Sequence, residues 1–345
     1  MTVRIALVGA GRIGAHHAEL IARHLPGATL TAVADPRPGV ASALAETLGA
    51  RAETDPGSVF AATDVDAIVI AASSVAHAGL IRAAAEAGKH VFCEKPAGMN
   101  LGEIEEGRQA TTAAGVALQV GFNRRFAADF AAAHAAVAAG RVGDVRLMRS
   151  LTRDPGEGLA DPGAIPPWTI FTQTLIHDFD TLNWLNPGAR AVDVSATADA
   201  LIAPDFKEAG LLDTAVVVIR YDNGAIATAE ANFAATYGYD VRGEVFGSRG
   251  MVTIGDGSRT SMRLHDAEGR LASTARSDTE LLRDAYLGEF AEFVGAIVEG
   301  RAPSVGADEA WAAFAIAEAA IESYRTGGRA EVAAPVAAVG RAASR

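Results

Sequence analysis

The chain contains a single cysteine among its 345 residues, few aromatic side chains and an excess of acidic over basic groups. Cys93 alone can form neither an intrachain disulfide nor a zinc site built from several thiolates. We interpret it as a small buried residue at the end of a strand, which is how free cysteine commonly packs. The net charge of -12 opposes binding to nucleic acid or to an acidic membrane surface. Small polar molecules are therefore the expected partners.

Long apolar runs are also missing. Residues 3–8 are apolar but are followed at once by glycines, and they are too few for the core of a secretion signal. Other runs, such as residues 67–72, are far shorter than the ~20 residues that a membrane helix needs. We expect a cytoplasmic protein with no membrane span. Residues 334–345 show no periodicity and predict a loose tail.

Residues 1–122 alternate short apolar runs with longer amphipathic stretches, which predicts repeated βα units on a parallel sheet, a Rossmann-type α/β domain. The predicted strands are 3–8, 29–34, 67–71, 90–93 and 116–120, and the predicted helices are 14–24, 38–48, 77–87 and 101–114. The chain is long enough for a second domain, and the pattern changes after Gly121.

Residues 123–333 predict an α+β domain with a large, mostly antiparallel sheet. A helix at 129–139 precedes a loop rich in glycine and proline at 154–167. Strands are predicted at 189–198, 214–221, 225–233, 239–246, 250–254 and 261–265. Two amphipathic helices, 281–299 and 308–324, are expected to pack back on one of the domains.

A glycine-rich turn between the first predicted strand and helix carries the strongest functional signal. Gly9 permits the tight turn, Gly11 lets the backbone approach a pyrophosphate, and Gly14 lets the helix lie close to the strand. The free N–H groups at the start of the helix, around Arg12 and Ile13, then hold the phosphate charge. The turn predicts a dinucleotide site.

An acidic residue at the end of the second strand defines the expected cofactor. Asp35 lies about 20 residues beyond the glycines, where a carboxylate can bind the adenosine ribose hydroxyls and repel a 2′-phosphate. Arg37 can tolerate that phosphate. NAD is therefore favoured, and NADP stays open.

Two clusters supply groups for proton transfer. Lys95 follows a buried strand at the carboxyl edge of the sheet, where it can donate to a substrate oxygen; an ion pair with a neighbouring acid is the alternative. Gln173, His177 and Asp180 share one face if residues 173–184 are helical, so His177 can reach a ligand. A structural histidine or a metal ligand is the alternative there, but half a ligand set leads us to expect no metal. Hydride removal from an alcohol needs a base and an oxygen donor, roles that Lys95 and His177 can share.

Together these residues resemble the glucose–fructose oxidoreductase and inositol 2-dehydrogenase (Gfo/Idh/MocA) family, most of all its inositol dehydrogenases. The resemblance spans nearly the whole chain and includes the glycine turn and the segments 88–96, 121–126, 177–180, 237–240 and 244–248. It implies NAD-linked oxidation of a ring hydroxyl of a cyclic polyol such as myo- or scyllo-inositol to a ketone. It also implies a homotetramer that pairs the open faces of the second-domain sheets.

The resemblance also implies site residues beyond the two proton-handling groups. Contacts to the cofactor are implied for Ser73, His77, Glu94 and Lys95 in addition to the glycine turn, Asp35 and Arg37. Contacts to the substrate are implied for Arg124, Asp154, Trp168, Gln173, His177 and Tyr239.

The chain departs from the family at two places. Gln173 stands where such inositol dehydrogenases carry an aspartate, and an amide can neither act as a base nor offset a positive charge. Trp168 and Thr169 stand where many relatives have two glycines. We expect an active dehydrogenase with a shifted pH profile or an altered polyol. A dehydrogenase, dehydratase or isomerase acting on a related sugar, aminosugar or sugar phosphate, and a dinucleotide sensor without turnover, remain alternatives.

Overall fold

The computed structural model describes residues 2–156 and 165–334, and its first sheet contains six strands: β1 (Val3–Val8), β2 (Ala28–Ala34), β3 (Arg51–Glu53), β4 (Ala67–Ile70), β5 (His90–Glu94) and β6 (Leu118–Gly121). All neighbouring strands are parallel, in the spatial order β3-β2-β1-β4-β5-β6. The strand order reverses between β1 and β4, which places a ligand crevice at the carboxyl ends of these strands. The predicted Rossmann-type domain is confirmed.

Five helices connect these strands: α1 (Arg12–His24), α2 (Val40–Leu48), α3 (Pro56–Ala61), α4 (His77–Glu86) and α5 (Leu101–Ala114). The central strands are buried along their length because helices cover both faces of a parallel sheet. Neither β3 nor α3 was predicted, since β3 is a three-residue polar edge strand and α3 is shorter than two turns.

The second sheet contains seven strands: β7 (Val145–Arg153), β8 (Ala191–Asp199), β9 (Thr214–Tyr221), β10 (Ile226–Asn232), β11 (Asp240–Gly247), β12 (Met251–Ile254) and β15 (Ala330–Glu331). Their order is β12-β11-β7-β10-β9-β8-β15, and of these pairs β7 with β10 is parallel while the others are antiparallel. A separate hairpin joins β13 (Arg263–Asp266) and β14 (Gly269–Ala272). The expected mostly antiparallel sheet is confirmed.

The second half also carries five helices: α6 (Ala128–Ala138), α7 (Leu175–Trp184), α8 (Asp278–Leu281), α9 (Arg283–Glu299) and α10 (Ala307–Thr326). Helices α7 and α10 contact the sheet through β7, β8 and β10, while α9 returns to the first domain and contacts α1 and β1. The prediction that the last two helices pack back on a domain is thus met by both, since α9 packs on the first domain and α10 on the second sheet. Within the described ranges no helix has both the length and the apolar composition to cross a bilayer.

Strand β7 lies in the middle of the second sheet, yet the hydrophobic pattern did not predict it. Two of its buried positions are the polar residues Ser150 and Thr152, and Arg149 and Arg153 point to the other face, where they pair with Glu230. A strand with polar residues on its inner face loses the apolar alternation on which prediction depends. Residues 157–164 of the predicted loop, and residues 335–345 of the predicted tail, lie outside the described residues.

Candidate active site

The glycine turn after β1 has the geometry that a dinucleotide site requires. Gly9 has a φ of +96°, and a Cβ on it would lie 2.5 Å from the nitrogen of Ala72, while a Cβ on Gly14 would lie 1.9 Å from the carbonyl oxygen of Gly9. Gly11 is different, because nothing lies within 4 Å of its Cβ position. No side chain caps α1 at Gly11, so its first N–H groups point into this open space. The turn fits a pyrophosphate.

Asp35 follows β2 and is buried beside this turn. Its carboxylate accepts hydrogen bonds from the nitrogen of Ala10 (2.8 Å) and from the nitrogen, Nε (2.9 Å) and Nη2 (2.7 Å) of Arg37. The hydrogen bonds from Arg37 hold the pKa of Asp35 well below its usual range, so the carboxylate is ionised. Because Asp35 holds the guanidinium of Arg37, that group is not poised for a 2′-phosphate, which favours NAD.

Lys95 directly follows β5, and its side chain is turned toward the second domain. Its Nζ donates to the main-chain carbonyl oxygen of Gln173 at 2.9 Å, so the predicted alternative of an ion pair is not what the structure shows. Burial lowers the pKa of Lys95 although Glu94 and Asp278 oppose that change. An ammonium held by one carbonyl keeps donors for a substrate oxygen.

His177 lies in the first turn of α7, after a π-helical turn at Ile170–Thr174 that carries Gln173. Its Nδ1 is buried without a hydrogen-bond partner among the described residues. Burial, helped by the charges of Lys95 and Arg124, holds the pKa of His177 well below its usual value. The imidazole is therefore neutral at pH 7 and can accept a proton.

Asp180 was predicted to share a helical face with Gln173 and His177, but it is not among the described residues that line the cavity. Asp180 is buried and forms a two-point ion pair with the Nε (2.8 Å) and Nη2 (2.6 Å) of Arg125. A buried guanidinium needs a carboxylate partner, and this requirement fixes the side chain of Asp180 there. Gln173 and His177 do line the same cavity.

That cavity, of about 480 Å³, lies between the two domains. It brings together most of the predicted site residues, namely Arg12, Ile13, His77, Glu94, Lys95, Arg124, Asp154, Gln173, His177 and Tyr239. It also contains residues that sequence reasoning missed, among them Asn123, Asp278 and Tyr286. Ser73 is exposed and lies next to Ala72 and Ser74, which do line the cavity.

Arg124 lines the cavity and is itself buried. Its Nη1 donates to Asp178 (2.7 Å) and to Ser150 (3.4 Å), and its Nη2 donates to Thr152 (2.6 Å). Three of the five guanidinium N–H groups are thus engaged, which holds the side chain rigidly. Any contact to substrate comes from the remaining edge of the guanidinium.

His77 and Trp168 differ in their placement relative to the cavity. His77 is buried with its Nδ1 2.8 Å from the carbonyl oxygen of Pro96 and its Nε2 3.0 Å from that of Ala72, so it braces two loops at the edge of the cavity. Trp168 is not among the described residues that line the cavity, although the neighbouring Pro166 and Thr169 are, so its implied substrate contact stays a prediction. Its ring packs against Tyr324 and beneath the guanidinium of Arg325.

Asp278 is the most informative residue that was missed. It accepts from both Nη atoms of Arg12, at 2.8 and 3.2 Å, and thereby joins the dinucleotide turn to the start of α8. Ser277 caps that helix by accepting from the nitrogen of Glu280. The Ser-x-x-Glu spacing at 277–280 was the available signal for a helix start, but nothing local indicated the partner.

Comparison with known proteins agrees with this geometry. Residues 3–122 match the oxidoreductase family with an NAD-binding Rossmann fold, and residues 130–253 match the Gfo/Idh/MocA C-terminal domain. The chain belongs to this oxidoreductase family. The cofactor predicted from the glycine turn and Asp35 is thus the one that the family model describes.

Similar proteins match over almost the full length of the chain. Myo-inositol 2-dehydrogenase of Thermotoga maritima is 35% identical over 93% of this chain and 96% of its own. scyllo-Inositol 2-dehydrogenase (NAD(+)) of Bacillus subtilis is 32% identical over 94% of this chain and 95% of its own. The structure of scyllo-inositol dehydrogenase from Lactobacillus casei with bound NAD(H) and scyllo-inositol superposes with a TM-score of 0.92 at 29% identity, covering 97% of this chain and 100% of that one.

Proposed function

We propose that the chain oxidises a ring hydroxyl of an inositol to a ketone with NAD as the hydride acceptor. The observation that carries the proposal is the meeting of Lys95 and His177 in one cavity beside the glycine turn. The relatives named as myo- and scyllo-inositol 2-dehydrogenases support this substrate class.

Different residues of the cavity have different roles in removing the hydroxyl proton of the substrate. Bound NAD⁺ supplies the hydride acceptor. His177 is neutral at pH 7 because burial lowers its pKa, so it can take the hydroxyl proton. Lys95 donates to the same oxygen and stabilises the negative charge that develops as the proton leaves. Arg124, Asp154 and Tyr239 line the same cavity, and in this proposal they orient the polyol through its other hydroxyls.

A survey of substrates with matched variants tests this function. The purified protein is mixed with NAD and each of a panel of inositols, hexoses and pentoses, and NADH absorbance is followed. We expect turnover with one or more inositols, and a fall in kcat of roughly 10²-fold or more in Lys95→Ala. Lys89→Ala is the control, because Lys89 donates to the carbonyl oxygens of Ala62 and Val65, away from the cavity.

Different outcomes separate the alternatives. Turnover of sugars but of no inositol would move the substrate class to the sugars. Tight NAD binding without turnover of any polyol would indicate a sensor.

We also propose that the domains divide after residue 122 and that the enzyme is a cytoplasmic homotetramer. The first family model ends at residue 122, just beyond β6. The face of the second sheet that α7 and α10 leave open exposes several large apolar side chains, namely Leu147, Val216, Val218, Ile226, Phe246 and Met251. Such a face is typical of a subunit interface.

Sedimentation velocity tests the assembly. Val218→Lys should shift the protein to smaller species, whereas Val298→Lys, on the exposed side of α9, should not. A wild-type monomer would refute the tetramer. Cell fractionation, with a cytoplasmic NAD-dependent enzyme followed as the marker, tests whether the protein is cytoplasmic.

A further inference from the structure

Three ionisable side chains meet beneath the cavity, outside the groups assigned to proton transfer. His17 comes from α1, Glu94 from the end of β5 and Glu289 from α9, and one ligand-type atom of each lies within 4.8 Å of the other two. All three are buried, and Glu94 also lines the cavity next to Lys95. The cluster therefore joins the second half of the chain to the floor of the NAD site.

The cluster has too few hydrogen-bond donors for its acceptors. His17 Nε2 is 2.7 Å from Glu94 Oε1, which satisfies one carboxylate oxygen. Neither oxygen of the Glu289 carboxyl has a partner among the described residues, nor does Oε1 of Gln119, whose Nε2 donates to the carbonyl oxygen of Glu289. A buried carboxylate without donors is unfavourable, and a second negative charge beside Glu94 makes it more so. One additional proton on the cluster would supply the missing hydrogen-bond donor and would also remove the second negative charge.

The remaining neighbours do not supply a compensating charge to Glu289. The ring of His17 packs on Tyr286 and Phe290 of α9, which are apolar or neutral at pH 7. Lys95 is bound to the carbonyl oxygen of Gln173, and Asp278 is paired with Arg12. Burial and the charge of Glu94 raise the pKa of Glu289 well above its usual value, while His17 and Lys95 lower that of Glu94 against the effect of burial.

We propose that Glu289 is a positioning residue that carries a proton and donates it in a hydrogen bond to Glu94, so that the cluster bears a single negative charge beneath Lys95. No proton leaves the cluster in the reaction: the O–H of Glu289 donates and a carboxylate oxygen of Glu94 accepts. The one charge lies on Glu94, which lines the cavity next to Lys95 and would attract a positively charged ring bound there. Ionisation of Glu289 would add a second charge and disturb the placement of Glu94 next to Lys95. The inference rests on the proposed dehydrogenase function only for its effect on turnover.

Infrared spectroscopy of the intact protein in ²H₂O tests the protonation directly. At about pH 8, where ordinary carboxyl groups are ionised, the wild type should show the carbonyl stretch of a protonated carboxyl group that disappears in Glu289→Gln. Glu299→Gln is the matched control, since Glu299 lies at the end of the same helix with an exposed side chain that is paired with Arg301. A wild-type spectrum that matches that of Glu289→Gln in this region would overturn the proposal. So would stoichiometric binding of a divalent cation by the purified protein.

A second variant keeps the test informative if Glu289→Gln does not fold. In Glu94→Gln the neighbouring charge is gone, so the band of Glu289 should titrate at lower pH than in the wild type. An unchanged midpoint would contradict the coupling between the two carboxyl groups. This arm does not depend on turnover, so its failure is distinct from a failure of the proposed function.

The role in positioning is tested by the pH dependence of kcat/KM for NAD. An amide at 289 cannot ionise, so as pH rises through the raised pKa of Glu289 the wild type should lose kcat/KM relative to Glu289→Gln. The Tm of the variant should rise relative to that of the wild type as pH increases from about 4.5 toward that raised pKa, because the unfolded carboxyl ionises in this range while the folded one stays protonated. Parallel profiles would refute the positioning role.

Discussion

Replacing Gln173 by aspartate changes one charge beside the proposed base. Gln173 and His177 line the same cavity wall four residues apart, and the imidazole Nδ1 has no partner among the described residues. Opposite charges about 5 Å apart attract by roughly 3 kcal/mol at an effective dielectric constant of about 20. Because residue 173 is only partly buried, we halve this effect. A carboxylate at 173 should therefore favour the imidazolium of His177 by about 1 to 2 kcal/mol.

The assay is kcat/KM for the polyol against pH, which reports groups of the free enzyme. His177 must be neutral to accept the hydroxyl proton, so the acidic limb of the profile follows its protonation. In the wild type this limb should lie at unusually low pH, since the pKa of His177 is lowered by burial and by Lys95. In Gln173→Asp it should move up by roughly one pH unit, which corresponds to about 1.4 kcal/mol.

Gln173→Asn is the control, because it has the size of aspartate without its charge. If the limb moves equally in both variants, the change reflects shape and not charge. If it moves in neither, residue 173 does not act on His177, and the interpretation of this departure from the family is wrong.

Two further substitutions probe the cavity and the cofactor site. Asp178→Asn should lower the free energy of unfolding, measured by urea denaturation at pH 7, by about 3 to 5 kcal/mol, because it leaves the buried guanidinium of Arg124 without a counter-charge. A loss under about 1 kcal/mol would show that the hydrogen bonds to Thr152 and Ser150 suffice to stabilise the guanidinium. Asp35→Asn should raise KM for NAD roughly tenfold and reduce the preference of the enzyme for NAD over NADP, since hydrogen bonds to a charged group contribute about 1.5 to 3 kcal/mol. An unchanged ratio of kcat/KM between the two cofactors would remove Asp35 from that role.

The parts of the site that the sequence predicted are those whose signals are local. Gly9, Gly11 and Gly14 are required by contacts within one strand–turn–helix unit, and Asp35 and Lys95 follow strands whose apolar runs are easy to recognise. Parallel strands end at one edge of a sheet, so their placement in a common crevice follows from the fold class.

The parts that were missed depend on contacts between distant segments. Asp278 reaches the glycine turn only because α9 returns to α1, and Glu289 lies within 4.8 Å of Glu94 for the same reason. Helical periodicity predicted that Asp180 lies beside His177. The side chain of Asp180 is instead oriented by its ion pair with the buried guanidinium of Arg125. Which buried charges pair with each other depends on the tertiary structure, and residue spacing along one helix does not determine it.

The charges around His177 bear on the proposed proton transfer, because residue 173 is an amide and not a carboxylate. Lys95 and Arg124 both disfavour the imidazolium, and Gln173 offers no negative charge against them. In the proposed mechanism the free enzyme therefore enters oxidation with His177 already in the form that accepts a proton. A base of low pKa takes a proton less readily, however, so more of the driving force must come from stabilising the oxygen as the proton leaves. Lys95 is placed to supply it, because its Nζ is anchored to the Gln173 carbonyl in a buried site where electrostatic stabilisation is strong. It follows that loss of the Lys95 charge should cost more kcat in the wild type than in Gln173→Asp, where the imidazolium has its own partner, and a double-mutant cycle on these two positions measures that difference.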